Sequence, residues 1–247
     1  MSQKLKVVIT DGTRANDKLI MNMWQLRRNL LDLHQTEEDD LHYFHNFCTR
    51  NNTYLFTFYD SEEKLQGFFT FTFKTFDSNR SKSLLIFSKY YYVNPSFRGH
   101  SSITSAAFRL LPKVIRRFGL RSMYITAFVY PSSYVSLSRT FGGLKTIQAG
   151  DTTAQEQSML ESFAVEIYGK NWDDADKLVK NQNAPYEENK GGTENIQALR
   201  HEYETINPNW RNGISVPILV KFNFHTICNI VSTSYRRMAR KNMAETT

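Results

Sequence analysis

Two groups of residues in this sequence have types and spacings suited to chemistry. The first is a short polar turn, Arg98-Gly99-His100-Ser101-Ser102, between an apolar run ending at Tyr92-Val93 and a helical pattern beginning at Ser102. A helix opens with backbone N–H groups that lack internal partners, and its dipole adds partial positive charge there. A strand–turn–helix of this kind can therefore bind a pyrophosphate. Gly99 would allow close backbone approach and Arg98 would add charge. His100 can titrate near neutrality, and Ser101 and Ser102 can cap the helix or donate to a phosphate oxygen. The second group is His42 and His45, three apart with no third ligand nearby, which reads as a pair of surface or rim residues. No G-x-S-x-G elbow, H-E-x-x-H pair, Walker sequence or zinc-type cysteine pairing occurs. No metal is expected.

The turn needs a strand before it and a helix after it, and the surrounding periodicity supplies both. LKVVIT (5–10) reads as a strand, and KLIMNMWQLRRNLLDL after Asp17 places Leu19, Ile20, Met23, Trp24, Leu30 and Leu31 at helical spacing. A second helix starts near Thr36, with Leu41, Phe44 and Phe47 on one face. The runs 54–60, 64–76 and 83–93 are rich in β-formers and read as an antiparallel meander. From Ser102, Ile103, Ala106, Ala107, Leu110, Leu111, Val114, Ile115 and Phe118 share one stripe. Pro112 within it should kink or break the helix, and Gly119 should cap it. Strand 123–130, helix 133–141 stopped by Gly142-Gly143, and strand 214–224 follow. Residues 150–211 read as a polar connection with one helix at 154–168. The tail from His225 reads as helical, with Arg236, Arg237, Arg240 and Lys241 near its end.

The formal charge is +7, but it is unevenly spread. Residues 150–205 hold twelve Asp/Glu against five Lys/Arg, a net of −7, so the remainder sums to +14. A basic body suggests an anionic partner. No apolar run approaches the roughly 20 residues that span a bilayer, and MSQKLKVVIT is too short and polar for a secretory signal. Two cysteines make no disulfide framework. A reduced, cytoplasmic protein is expected.

VNPSFRGHSSITSAAFRLL resembles the acyl-CoA-binding segment of the GNAT (Gcn5-related N-acetyltransferase) family. There a central strand ends in V-x-P, and an Arg/Gln-x-x-Gly-x-Gly/Ala loop leads into a long helix. YPSSYVSLSRTFGG takes the place of that family's second strand–helix step. Ser101 stands where the family has its second loop glycine, Ile103 where it has the last Gly or Ala, and Ser138 where it often has a tyrosine acid. The resemblance implies an α+β fold: a GNAT-like mixed, mainly antiparallel sheet flanked by helices, with a long insertion before the last strand. It implies a single GNAT-like domain over 1–247, with 150–211 an acidic insertion and 225–247 a basic C-terminal helix. It further implies acyl transfer from acetyl-CoA, a longer acyl-CoA or an acyl carrier protein to an amine-bearing acceptor. The pantetheine would lie between strands 83–93 and 123–130. Tyr92, Val93, Arg98, Gly99, His100, Ser101 and Ser102 would then bind the cofactor. Tyr134, Ser138 and Tyr130 are the candidate acids for the leaving thiolate. The alternative is a non-catalytic GNAT-like scaffold that docks an anionic partner: nucleic acid, a carrier protein or a membrane surface.

Overall fold

The structure is a computed structural model describing residues 5–30, 37–77, 82–97, 101–119, 121–180, 193–223, 225–230 and 232–233. It falls into two compact units that divide after Ser122. In the first, β1 (Lys6–Asp11), β2 (Thr53–Tyr59), β3 (Leu65–Asp77) and β4 (Lys82–Phe87) lie side by side in that order. All are antiparallel, with Ile9 opposite Phe56, Phe56 opposite Phe69 and Thr72 opposite Phe87. β5 (Tyr91–Val93) also pairs with β3, placing Tyr91 opposite Phe69 and Val93 opposite Gly67.

Alternation along these strands gives the sheet two apolar faces. On one lie Phe68 and Phe87, covered by α1 (Asp17–Leu30) and α2 (Glu37–Cys48). Phe44 meets Phe68 at 5.9 Å and Phe47 meets Phe87 at 6.0 Å between ring centres. On the other, Phe56 stacks on Phe69 at 4.2 Å and Phe73 stacks on Phe118 of α3 (Ser101–Phe118) at 5.7 Å. Such ring pairs add about 0.5–1.5 kcal/mol each beyond their buried area.

α1 buries Ile20, Met23 and Trp24 as its apolar stripe requires, and buries Arg27 beside them. α3 differs from expectation because it runs through Pro112 without ending. Pro112 is exposed, on the solvent side of the helix. Gly119, at φ +74°, caps the helix as expected.

In the second unit, β6 (Ser122–Val129) pairs antiparallel with β10 (Ile214–Phe222) from Met123–Phe222 to Val129–Val216. β10 also takes β7 (Lys145–Thr146) and β9 (Leu178–Lys180), and β9 takes β8 (Trp172–Asp173). Residues 150–211 are therefore far more than a connection. Their described part holds α5 (Ala154–Tyr168), the β8–β9 hairpin and α6 (Glu194–Ile206), of which only α5 is legible as an element in the sequence. α5 starts on a capping box: the Thr153 hydroxyl accepts from the Glu156 backbone N–H, and the Glu156 carboxylate accepts from that of Thr153.

Successive residues of β6 serve opposite sides. Ala127 and Val129 pack with Tyr134 of α4 (Pro131–Phe141), Tyr203 of α6 and Trp210. Phe128 packs with Tyr168, Ala164, Trp172 and Val179. α4 has Pro131 at its start and Gly142 at φ 82° at its end. Residues 225–230 and 232–233 are helical; the basic cluster expected at 236–241 lies outside the described residues.

The fold is α+β, a largely antiparallel sheet flanked by helices, as expected. Among the described residues no helix is long and apolar enough to cross a membrane.

Candidate functional site

The run SKYYYV in the first unit does not continue as one strand. Thr72 lies opposite Phe87 while Phe69 lies opposite Tyr91. Two residues of β3, Thr70 and Phe71, are thus matched against three, Ser88, Lys89 and Tyr90. That is a β-bulge. It is pinned at Thr70, whose N–H donates to the Tyr90 carbonyl at 3.0 Å and whose hydroxyl accepts from the Tyr90 N–H at 3.3 Å. The extra residue changes which side chains share a face. Phe47 of α2 meets Phe87 at 6.0 Å and Tyr90 at 5.2 Å, and Lys89 lies over the same Phe47 ring. Residues 89 and 90, which would point apart in a regular strand, both turn toward α2.

β5 then ends at Val93, a 3-10 turn covers Pro95–Phe97, and α3 opens at Ser101. The first turn of α3 contains no acidic side chain. Val93 is buried against Gly67, where an added Cβ would lie 3.0 Å from Val93 Cγ2. The half-buried Tyr92 has its phenol hydrogen-bonded to Arg27; burial raises its pKa, and the guanidinium works against that rise. Ser101 and Ser102 occupy the first turn of α3, and Arg98, Gly99 and His100 lie outside the described residues.

Beneath the bulge is a polar cluster within an aromatic layer. Arg27 is 3% exposed and Asp40 1%; Arg27 Nη1 donates to both carboxylate oxygens at 2.8 and 2.7 Å, and Trp24 Nε1 donates at 2.8 Å. Next to this pair, Lys89 Nζ donates to the Tyr43 hydroxyl and lies 4.3, 5.1 and 5.6 Å from the ring centres of Tyr43, Phe47 and Tyr90. Two effects oppose each other at this amine. Each ring face favours an ammonium by about 0.5–2 kcal/mol. Removing an ammonium from water costs several kcal/mol, and Arg50 and Arg27 repel the proton further. Burial and the two arginines win, and the Lys89 pKa falls well below its ordinary value.

α1 and α2 also enclose a cleft of about 520 Å³ lined by Asp17, Ile20, Met21, Glu38, Leu41, His42 and His45. His45 Nε2 is 3.2 Å from Asp17 Oδ1, and His42 Nε2 is 2.8 Å from Asn46 Nδ2. The two histidines thus sit at the rim of a cleft, as expected of surface or rim residues. Among the described residues no three or more His, Cys, Asp or Glu gather where they could hold a metal ion.

The three hydroxyls belong to the second unit. Tyr134 is 2% exposed and its hydroxyl donates to Glu202 Oε1 of α6 at 2.8 Å. Burial and that carboxylate raise its pKa, while a hydrogen bond from Ser138 one turn on works the other way. Ser138 is buried, and its carbonyl accepts from the Gly142 N–H at 2.9 Å. The Tyr130 hydroxyl donates to the Gly213 carbonyl at 3.1 Å. The structure thus joins Tyr134 to Ser138 and leaves Tyr130 on a separate carbonyl. Lys89, Tyr43 and Glu202 were missed in the sequence; the one available signal was a lone lysine inside the aromatic run SLLIFSKYYYV.

Comparison with known proteins yields acetyltransferases among solved structures. An acetyltransferase of Trypanosoma brucei is 12% identical, with a TM-score of 0.38 over 55% of this chain and 89% of that one. An aminoglycoside 6'-N-acetyltransferase of Acinetobacter baumannii is 12% identical, with a TM-score of 0.41 over 55% of this chain and 86% of the other. A predicted acetyltransferase of Clostridium acetobutylicum, solved with acetyl-CoA, is 14% identical, with a TM-score of 0.44 over 58% and 92%. No protein-family model matches the sequence, and neither does any curated protein.

Proposed function

We propose that this chain is an acyltransferase of GNAT type, moving an acyl group from acetyl-CoA or a longer acyl-CoA to an amine by direct attack on the thioester. The observation that carries the reading is the order β5, 3-10 turn, α3, with a first helical turn free of acidic side chains. An N-terminus of this kind favours a phosphate, and the sequence at the turn resembles the family's pyrophosphate loop. Arg98, Gly99, His100, Ser101 and Ser102 would receive the pyrophosphate. The bulge before β5 supports a second requirement, since bulges re-aim backbone groups next to active sites. Backbone N–H groups there would polarise the thioester carbonyl.

The acceptor must attack as a neutral amine, and the leaving thiolate must gain a proton. Asp17 and Glu38 give the α1–α2 cleft carboxylates that suit a cationic amine. Tyr134, which keeps its proton through neutral pH, and its neighbour Ser138 are the proposed proton donors. Incubating the protein with acetyl-CoA and with longer acyl-CoAs, against a panel of polyamines, aminoglycosides and lysine peptides, tests the reading. Amine-dependent release of free thiol is expected, and no release above the protein-free rate with any amine would overturn it.

A second reading has its own observation. Arg109, Lys113 and Arg116 are exposed at helical spacing on α3, a basic face that suits an anionic partner such as an acyl carrier protein. Carrier-protein binding without thiol release would favour a scaffold.

A further inference from the structure

Asp17 of α1 meets His45 near the end of α2, while Trp24 and Arg27 meet Asp40 near its start, so the two helices run in opposite senses. One stripe of each faces the cleft of about 520 Å³ between them: Asp17, Ile20 and Met21 on α1, and Glu38, Leu41 and His45 on α2. The two carboxylates therefore stand at opposite ends of the cleft. Glu38 precedes His45 by seven residues, about 10 Å along the helix axis, and Asp17 is 3.2 Å from His45. Between those ends the lining is apolar. Ile20 is 1% exposed, Leu41 is half-buried, and Met21 is a large apolar side chain left 36% exposed. Among the described residues no lysine or arginine is paired with either carboxylate. Each carboxylate also stands in the first turn of its helix, where it offsets the dipole. That role accounts for the two charges but not for the open apolar floor between them.

We propose that this cleft binds an aliphatic α,ω-diamine, with one ammonium on Asp17, the other on Glu38, and the methylenes over Ile20, Met21 and Leu41. The proposal narrows the amine class of the acyltransferase reading and rests on that reading for the ligand's role as acceptor. A chain of about four to six methylenes sets its nitrogens about 6–9 Å apart, within the span between the two carboxylates. His45 approaches Asp17 at Oδ1, so an ammonium can share the carboxylate through Oδ2. A single ion pair at an exposed carboxylate holds a ligand weakly. Two joined by one chain reinforce each other, because the second forms within the complex, and burying the methylenes adds to both. A monoamine reaches one end only, and a polyhydroxylated amine would lay hydroxyls on the apolar floor.

The test is a binding measurement on the full chain without acyl-CoA, at about 0.05 M salt. α,ω-Diamines of about three to eight methylenes are titrated into protein labelled with ¹³C at the methionine methyls, each against the monoamine of equal length. The Met21 resonance is identified by its loss in Met21→Leu. Diamines of about four to six methylenes should move that resonance and bind at least about tenfold tighter than the matched monoamines. Asp17→Asn and Glu38→Gln, both at exposed positions, should each bring diamine affinity down to that of the monoamine. A Met21 resonance unmoved at saturation, diamines no tighter than monoamines, or wild-type affinity in both variants overturns the proposal. Because acyl-CoA is absent, those results leave the acyltransferase reading standing. Diamine binding as predicted, with no thiol released once acyl-CoA is added, upholds the site and overturns that reading instead.

Discussion

Lys89 couples the local chemistry to the stability of the fold, and the sign of that coupling is fixed. An amine with a folded pKa below its ordinary 10.5 is neutral in the folded chain and protonated in the unfolded one between those two values. The unfolded chain then binds the extra proton, so stability rises with pH across that window. Below the folded value the cost is present in full, and above 10.5 it has gone. Lys89→Met should therefore stabilise the protein at neutral pH by about 1–3 kcal/mol and flatten its stability between neutrality and pH 10. Denaturant melts of both forms across that range check it; a less stable variant would mean that the aromatic rings hold a charged ammonium. Neither the buried Arg27 nor the half-buried Lys89 was legible as such, because periodicity places apolar residues inward and says nothing of a charge that finds partners there. Tyr134 shows the same limit. The spacing placed it on a helix, while its partner Glu202 lies 68 residues away.

At the scale of elements, the bulge and the short strand beyond it form the part most open to perturbation. β5 lies against β3 where Gly67 faces Val93, and a Cβ on Gly67 would also lie 3.1 Å from the Tyr92 carbonyl oxygen. Gly67→Ala should force β5 outward by a few tenths of an ångström. The expected cost is about 1–3 kcal/mol, with a loss of acyl-CoA affinity because β5 leads into the turn. A shift in Tm with unchanged affinity would separate β5 from the ligand. The meander, both N-terminal helices, α3 and α5 were legible because their apolar residues keep one period. The bulge was not. Tyr90, Tyr91 and Tyr92 present the same side chain to both faces, so the alternation that would betray an extra residue is missing. α6 was hidden differently: Ile196, Leu199, Tyr203 and Ile206 follow a helical period, but the loop-like NQNAPYEENKGGTEN overlaps its first residues. β8 and β9, of two and three residues, are too short to carry a period.

For the whole molecule, the reading depends on an anionic acyl donor meeting a body whose net charge outside 150–205 is +14. Charge alone would draw many polyanions, weakly and with strong dependence on salt. A built pyrophosphate site would instead distinguish CoA from other polyanions and would depend on the turn before α3. The most direct measurement is titration calorimetry of acetyl-CoA into the wild type, Arg98→Ala and Gly99→Val at 0.15 M salt, with ATP as the polyanion control. The predicted result is stoichiometric binding of acetyl-CoA by the wild type, weakened at least tenfold in each variant, with ATP much weaker in all three. Equal affinities for acetyl-CoA across the three proteins, or no binding by the wild type, would contradict it.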